Sequence, residues 1–243
     1  EFDSLRAHKE SVLHEAWVEI EPGHAKYYRA KEYNKVTMYY NSCYVPCGLR
    51  IFNNGKLIRE DSLQHDGKAH ALKLDFQQTP GKLKFQFIAT VSPTITGFSL
   101  EGDYGVQVSN IGMRGSSGSI FNRMDKSLLS KMYEELNTEM IIMQFGGNSV
   151  PFFRDSTSVR NFAGYFKKQL NTLKKIRPSA AIIVIGPSDM SKLENGAFVS
   201  YPLLPYCVNQ MKKASIEAGA GFWNLFDAMG GINSMPSWVE QGL

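Results

Sequence analysis

The chain has 243 residues, of which 43% are hydrophobic and 21% charged, and a net charge of +4 at neutral pH. That balance belongs to a globular protein of one large or two ordinary domains and excludes an intrinsically disordered chain. The basic surplus is scattered apart from Lys167-Lys168, Lys174-Lys175 and Lys212-Lys213 on helix-like segments, so no nucleic-acid partner is predicted.

No apolar run reaches membrane-spanning length, and no transmembrane segment is predicted. Residues 1–10, EFDSLRAHKE, are charged and carry no signal-peptide apolar region. Residues 11–100 read as short strands. His14–Ile20 alternates in part, Lys35–Tyr40 is β-branched and aromatic, and Gly48–Phe52 leads through Asn53-Asn54-Gly55 into Lys56–Arg59. The Asn-Gly step between two apolar runs is a strong hairpin signal. Ala69–Phe76 and Lys82–Ala89 alternate apolar and polar residues as half-buried strands do, separated by the turn Thr79-Pro80-Gly81, and Ile95–Leu100 closes the series. Regular strands with Gly, Pro and Asn turns predict a β-sandwich or jelly-roll domain over residues 1–100. Exposed members of the set Tyr27, Tyr28, Tyr39 and Tyr40 could stack on sugar rings, although core positions suit them as well. All five histidines, His8, His14, His24, His65 and His70, lie in this part, and none is spaced as a metal pair. The three cysteines make neither a disulfide scaffold nor a tetrahedral metal set; Cys43 and Cys47 are near enough to pair, and Cys207 is remote.

Beyond Leu100 strand and helix alternate. Gly105–Ile111 reads as a strand, followed by the Gly/Ser-rich turn Gly112–Gly118 and a helix over about Arg123–Asn137. Met140–Phe145 is a short apolar run of the kind found in a strand covered on both faces. It stops at Gly146-Gly147 and then presents Asn148. Ser156 or Thr157 can cap a helix carrying Val159, Phe162, Phe166, Leu170 and Leu173. Ala180–Ile185 is a third strand, Tyr206–Ala218 a helix stopped by Gly219, and Gly221–Asp227 a fourth strand. Alternation of this kind predicts a flavodoxin-like parallel sheet with flanking helices over residues 101–243. Loops leaving the carboxyl ends of its strands share one rim: Gly112–Gly118, Gly146–Pro151, Gly186–Ser191 and Asp227–Pro236. The first offers unobstructed backbone N–H groups and the second the Asn148 carboxamide, a donor set suited to a developing oxyanion.

The sequence Val106–Gly118 followed by Gly146-Gly147-Asn148 resembles the second and third blocks of the SGNH (GDSL-type) esterase superfamily. The resemblance covers residues 100–243 and implies an incomplete SGNH α/β fold. It makes Gly115 the oxyanion glycine, with Gly112 as the less favoured choice, and Asn148 the oxyanion asparagine. The β-rich part and the run Ile95–Gly118 are similar to bacterial peptidoglycan O-acetylesterases that carry an inserted carbohydrate-binding-like module. That branch implies an acetylated polysaccharide substrate, a Ser-His-Asp mechanism, no cofactor and no metal, and a secreted or periplasmic cell-envelope location. Two family elements are missing: the chain has no Gly-Asp-Ser block, and no histidine after His70. The expectation is a fragment whose nucleophile and Asp/His pair lie outside it.

Local alternatives are weak. Nothing near Ser116 and Ser117 could deprotonate them, so both are expected to be turn residues. Asp189 is expected to cap rather than to touch substrate, and Asp227 has Gly230, not histidine, three residues on. The spacing Gly112-x-x-Gly-x-x-Gly118 lacks the lysine of a phosphate loop. Two other readings compete: a non-catalytic glycan-binding protein working through the β-rich part and its tyrosines, and an assembly subunit.

Overall fold

The computed structural model describes residues 12–23, 26–27 and 31–242. The backbone divides into two compact units, Glu1–Asn110 and Ile111–Leu243.

The first unit holds seven described strands: β1 (His14–Ile20), β2 (Lys35–Asn41), β3 (Cys47–Asn53), β4 (Lys56–Leu63), β5 (His70–Asp75), β6 (Leu83–Ala89) and β7 (Thr94–Glu101). They form two antiparallel sheets, ordered β1-β6-β3-β4 and β5-β2-β7. Alternation in β6 turns Leu83, Phe85, Phe87 and Ala89 inward, where they meet Leu49 and Ile51 of β3 and Val36 and Met38 of β2. Both sheets therefore share one core. The β3–β4 turn has Asn54 at φ 48° and Gly55 at φ 81°, the left-handed pair that a two-residue hairpin requires.

Of the two readings open for the tyrosines, the core one holds for Tyr39 and Tyr40, while one strand expectation fails in this unit. Tyr39 and Tyr40 are 3% exposed and belong to the buried interior, so neither can stack on a sugar; Tyr27 is exposed, and Tyr28 lies outside the described residues, as do His8 and His24. The stretch Gly105–Ile111 is not a strand. Val106 and Val108 are 92% and 85% exposed, and no described strand pairs with them. Alternation specifies which side chains share a face; it cannot supply a partner for the backbone.

Cys43, Cys47 and Cys207 are buried free thiols. Burial pushes Cys47 up to about 11 and Cys207 up to about 12 from an ordinary 9.0. A raised folded-state value means that the unfolded chain loses these protons first. The stability they confer is complete below pH 9 and is lost as pH rises toward 12. Urea midpoints should be flat between pH 7 and about 8.5 and fall above about 9, with a shallower fall in Cys207→Ala.

The second unit contains α1 (Lys126–Glu135), β8 (Met140–Gln144), a 3-10 turn (Gly147–Phe152), α2 (Ser156–Ile176), β9 (Ala181–Ile185), β10 (Ser191–Glu194), β11 (Ala197–Ser200), α3 (Leu204–Glu217), β12 (Gly221–Trp223), α4 (Leu225–Ala228) and α5 (Met235–Glu240). Asp155, rather than Ser156 or Thr157, caps α2. Its side chain accepts the Ser158 N–H at 2.7 Å while the Ser158 hydroxyl oxygen accepts the Asp155 N–H at 3.2 Å, a reciprocal capping box. Asp155→Ala should cost about 1 kcal/mol in a urea melt. The fourth strand ends at Trp223, because the Asn224 side chain accepts the Asp227 N–H and opens a helical turn instead.

β8, β9 and β12 form a parallel sheet in the order β12-β9-β8. Met143, Ile182 and Val184 on one face are buried against Leu129 of α1, Phe166, Leu170 and Leu173 of α2 and Met211 of α3. The other face differs from the expectation of a strand covered on both sides. Met140, Ile142 and Trp223 are 52%, 58% and 51% exposed, and the registered residues Ala181 and Gly221 are open as well. Among the described residues of this unit, the helices that build this core lie against the one face that carries Met143.

Candidate active site

The rim at the carboxyl ends of β8, β9 and β12 is assembled by glycines that allow close approach. After β8 the chain turns at Gly146, with φ 111°. A side chain there would place its Cβ 2.9 Å from Met211 Sδ and 3.4 Å from Pro187 Cδ, so the glycine lets α3 and the loop after β9 close on the strand end. The 3-10 turn then starts, the Ser149 N–H donating to the Gly146 carbonyl at 2.9 Å, and Asn148 stands exposed at its first turn.

The loop 112–118 reaches the same rim. The Ser116 N–H donates to the Met113 carbonyl at 3.2 Å, closing a turn with Gly115 at φ 74°. Gly118, at φ 78°, lies flat on Phe145: a Cβ there would sit 2.8 Å from the ring's Cγ. Asn148 Nδ2 donates to the Ser116 carbonyl at 3.0 Å. The carboxamide nitrogen carries two hydrogens; this bond uses one, fixes the orientation and leaves the other for a ligand. Gly115 adjoins the residue that Asn148 holds, is exposed, and its N–H has no partner among the described residues. Gly112 is exposed too, but no described contact ties it to Asn148. The Asn148 amide is thus tied to the loop that carries Gly115, and a Cβ on Gly115 would meet nothing within 4 Å.

The other singled-out residues have structural work. The Ser116 hydroxyl oxygen accepts the Gly118 N–H at 3.2 Å, as a turn residue does. The unit Ile111–Leu243 contains no histidine to activate Ser116 or Ser117. The loop 112–118 does not open a helix; α1 begins at Lys126, and its first N–H groups are taken by Asp125, so no phosphate cradle forms. Asp227 accepts from the Asn224 side chain at 2.5 Å within α4. In the first unit, His70 Nε2 is 2.7 Å from Asp66 Oδ1, and this contact holds Asp66 below the usual carboxylate value. Among the described residues no group of three or more His, Cys, Asp or Glu side chains is placed to hold a metal ion.

Sequence reasoning missed the network around Asp189, which is 0% exposed. Its Oδ1 accepts the Ser200 hydroxyl at 2.5 Å, and its Oδ2 accepts the Met235 N–H at 2.9 Å. Ser200 and Asn233 exchange a further pair of bonds, at 2.8 and 2.9 Å. Asp189 therefore caps a distant helix, α5, rather than the segment that follows it. The signal was present: Asn195-Gly196, at φ 51° and 83°, makes the β10–β11 hairpin that carries Ser200 to Asp189.

No family model matches the sequence, and no curated protein matches it. Solved structures do. A peptidoglycan O-acetylesterase superposes with a TM-score of 0.61 at 14% identity, covering 98% of this chain and 71% of that one. A family two carbohydrate esterase from Cellvibrio japonicus has a TM-score of 0.28 at 10% identity, covering 86% and 88% of the two chains. An acetyl xylan esterase from the rumen bacterium Butyrivibrio proteoclasticus has a TM-score of 0.25 at 12% identity, covering 79% of each. The first of these establishes a shared fold.

Proposed function

We propose that this chain carries the oxyanion-stabilising part of a carbohydrate O-acetylesterase of the SGNH type. The observation that carries the reading is the Asn148 Nδ2 bond to the Ser116 carbonyl, which brings the glycine loop and the asparagine to one strand-end rim. The fold shared with a peptidoglycan O-acetylesterase supports it.

In the proposed reaction a serine hydroxyl attacks the acetyl carbonyl carbon, and a histidine oriented by a carboxylate takes its proton. The carbonyl oxygen becomes an oxyanion, which accepts from the Gly115 N–H and the Asn148 amide. Collapse expels the sugar hydroxyl, which regains the proton from the histidine, and water then releases acetate from the acyl-serine. In this reading the histidine comes from outside 111–243, because that unit holds none, and the serine does too, because the chain has no Gly-Asp-Ser block. The fold shared with a peptidoglycan O-acetylesterase favours an acetylated polysaccharide at the cell envelope as substrate.

The test is acetate release by the protein in its full coding length, supplied with O-acetylated peptidoglycan and with acetylated xylan. Release from at least one is expected. Hydrolysis of neither, in a preparation with native circular dichroism, overturns the reading.

A further inference from the structure

The buried face of α2 carries one residue out of keeping with the rest. Phe166, Leu170 and Leu173 belong to an apolar stripe at helical spacing, and Gln169 lies among them, 0% exposed. Its Oε1 accepts the Asn122 N–H at 3.1 Å. A backbone N–H can only donate, so the oxygen of this amide faces the loop before α1. The Nε2 end is buried with no acceptor among the described residues. For packing alone, an apolar residue of the same length fills the space and strands no donor. What the amide does, and an apolar residue cannot do, is hold Asn122.

The hold is double. Thr172, three residues further along α2, donates its hydroxyl to Asn122 Oδ1 at 2.5 Å, a hydrogen it shares with the Lys168 carbonyl at 3.0 Å. Positions three apart on a helix are neighbours on its surface, so one short patch of α2 grips Asn122 by backbone and by side chain. Asn122 closes the segment that begins at Gly112. Between them Gly118 rests on Phe145, and Phe121 is 9% exposed in the core of this unit. On the other side of the turn, residues 102–112 are exposed. The Gly115 turn therefore takes its support from the downstream side, through Gly118 and Asn122, and from the Asn148 bond to the Ser116 carbonyl.

We infer that Gln169 is a positioning residue for the oxyanion donors. By fixing Asn122 it sets where the loop 112–118 lies, and with it the directions of the Gly115 N–H and of the Asn148 amide bound to Ser116. It touches no substrate. The kinetic consequence rests on the esterase reading proposed above; the position of the loop does not, because it is read without hydrolysis.

The experiment compares the parent with Gln169→Met and Thr172→Val in the full coding length. Methionine matches the length of glutamine without an amide oxygen. In ¹⁵N spectra, Gln169→Met should shift or broaden the Gly115 N–H and the Asn148 side-chain NH₂ pair, while the Asn233 resonances in the Asp189 network stay in place. Thr172→Val keeps the Gln169 bond and should move the same resonances by less. The melting temperature of Gln169→Met should stay near the parent's, since the unpaired Nε2 leaves together with the oxygen and half-buried Asn122 can give its N–H to water. On an acetyl ester its kcat should fall about tenfold with KM little changed, as a misdirected transition-state donor requires. A role in packing alone predicts the reverse: a lower melting temperature, with kcat and the Gly115 and Asn148 resonances unchanged. That pattern overturns the inference. So do parent-like Gly115 and Asn148 resonances in Gln169→Met, or in Thr172→Val where Gln169→Met does not fold. A parent that hydrolyses no acetyl ester overturns the esterase reading instead and leaves the spectra to decide the role of Gln169.

Discussion

Replacing Asn148 by alanine in the full-length protein should lower kcat for acetyl-ester hydrolysis by about 10²–10³, with KM little changed. The split follows from where the donor acts. The ground-state carbonyl oxygen is weakly charged and gains little from the amide, whereas the tetrahedral intermediate places a full charge in front of it. Stability should barely respond, since Asn148 is exposed and its side chain is held, among the described residues, by the bond to Ser116. Asn148→Asp keeps the shape, removes the donor and adds a negative charge, so its loss should be at least as deep. Steady-state kinetics on an acetyl ester decides the matter, and a variant within threefold of the parent rate would remove Asn148 from the mechanism.

The second large effect is on folding. Asp189→Ala should destabilise the chain by about 2 kcal/mol, because two half-buried donors to a buried carboxyl group lose their acceptor together. Those donors belong to Ser200 and Met235, so the damage spreads to the β10–β11 hairpin and to α5. Asp189→Asn retains one acceptor oxygen and should cost less than half as much. Urea denaturation measures both, and limited proteolysis of Asp189→Ala should show faster cleavage around residues 229–235. A midpoint equal to that of the parent would show the network to be dispensable.

How much of this was legible in the sequence depends on whether the information is local. The Asn53-Asn54-Gly55 turn was readable because left-handed φ values demand those residue types. Alternation in Leu83–Ala89 gave the buried face of β6 directly. The glycine loop and Asn148 could be marked as candidates by their positions after apolar runs. Their contact through Ser116 could not, since it depends on Gly118 lying against Phe145, a meeting of residues far apart in the chain. Gly105–Ile111 misled because it has strand composition without a strand neighbour. The run Gly221–Asp227 misled because an asparagine cap outweighed its apolar residues. Asp189 was underrated because burial of a carboxyl group is set by what folds over it, here a hairpin and a distant helix.

The half-clad parallel sheet has a practical consequence. Trp223 stands on its bare flank, so its indole emits as a ring in water and is open to quenching by iodide or acrylamide. Anything that lies down across β8, β9 and β12 must dry that ring, moving its emission to the blue and shielding it from quencher. With Trp17 and Trp238 both changed to phenylalanine, so that Trp223 is the one indole left, the protein carries its own optical gauge of whether that flank is clothed.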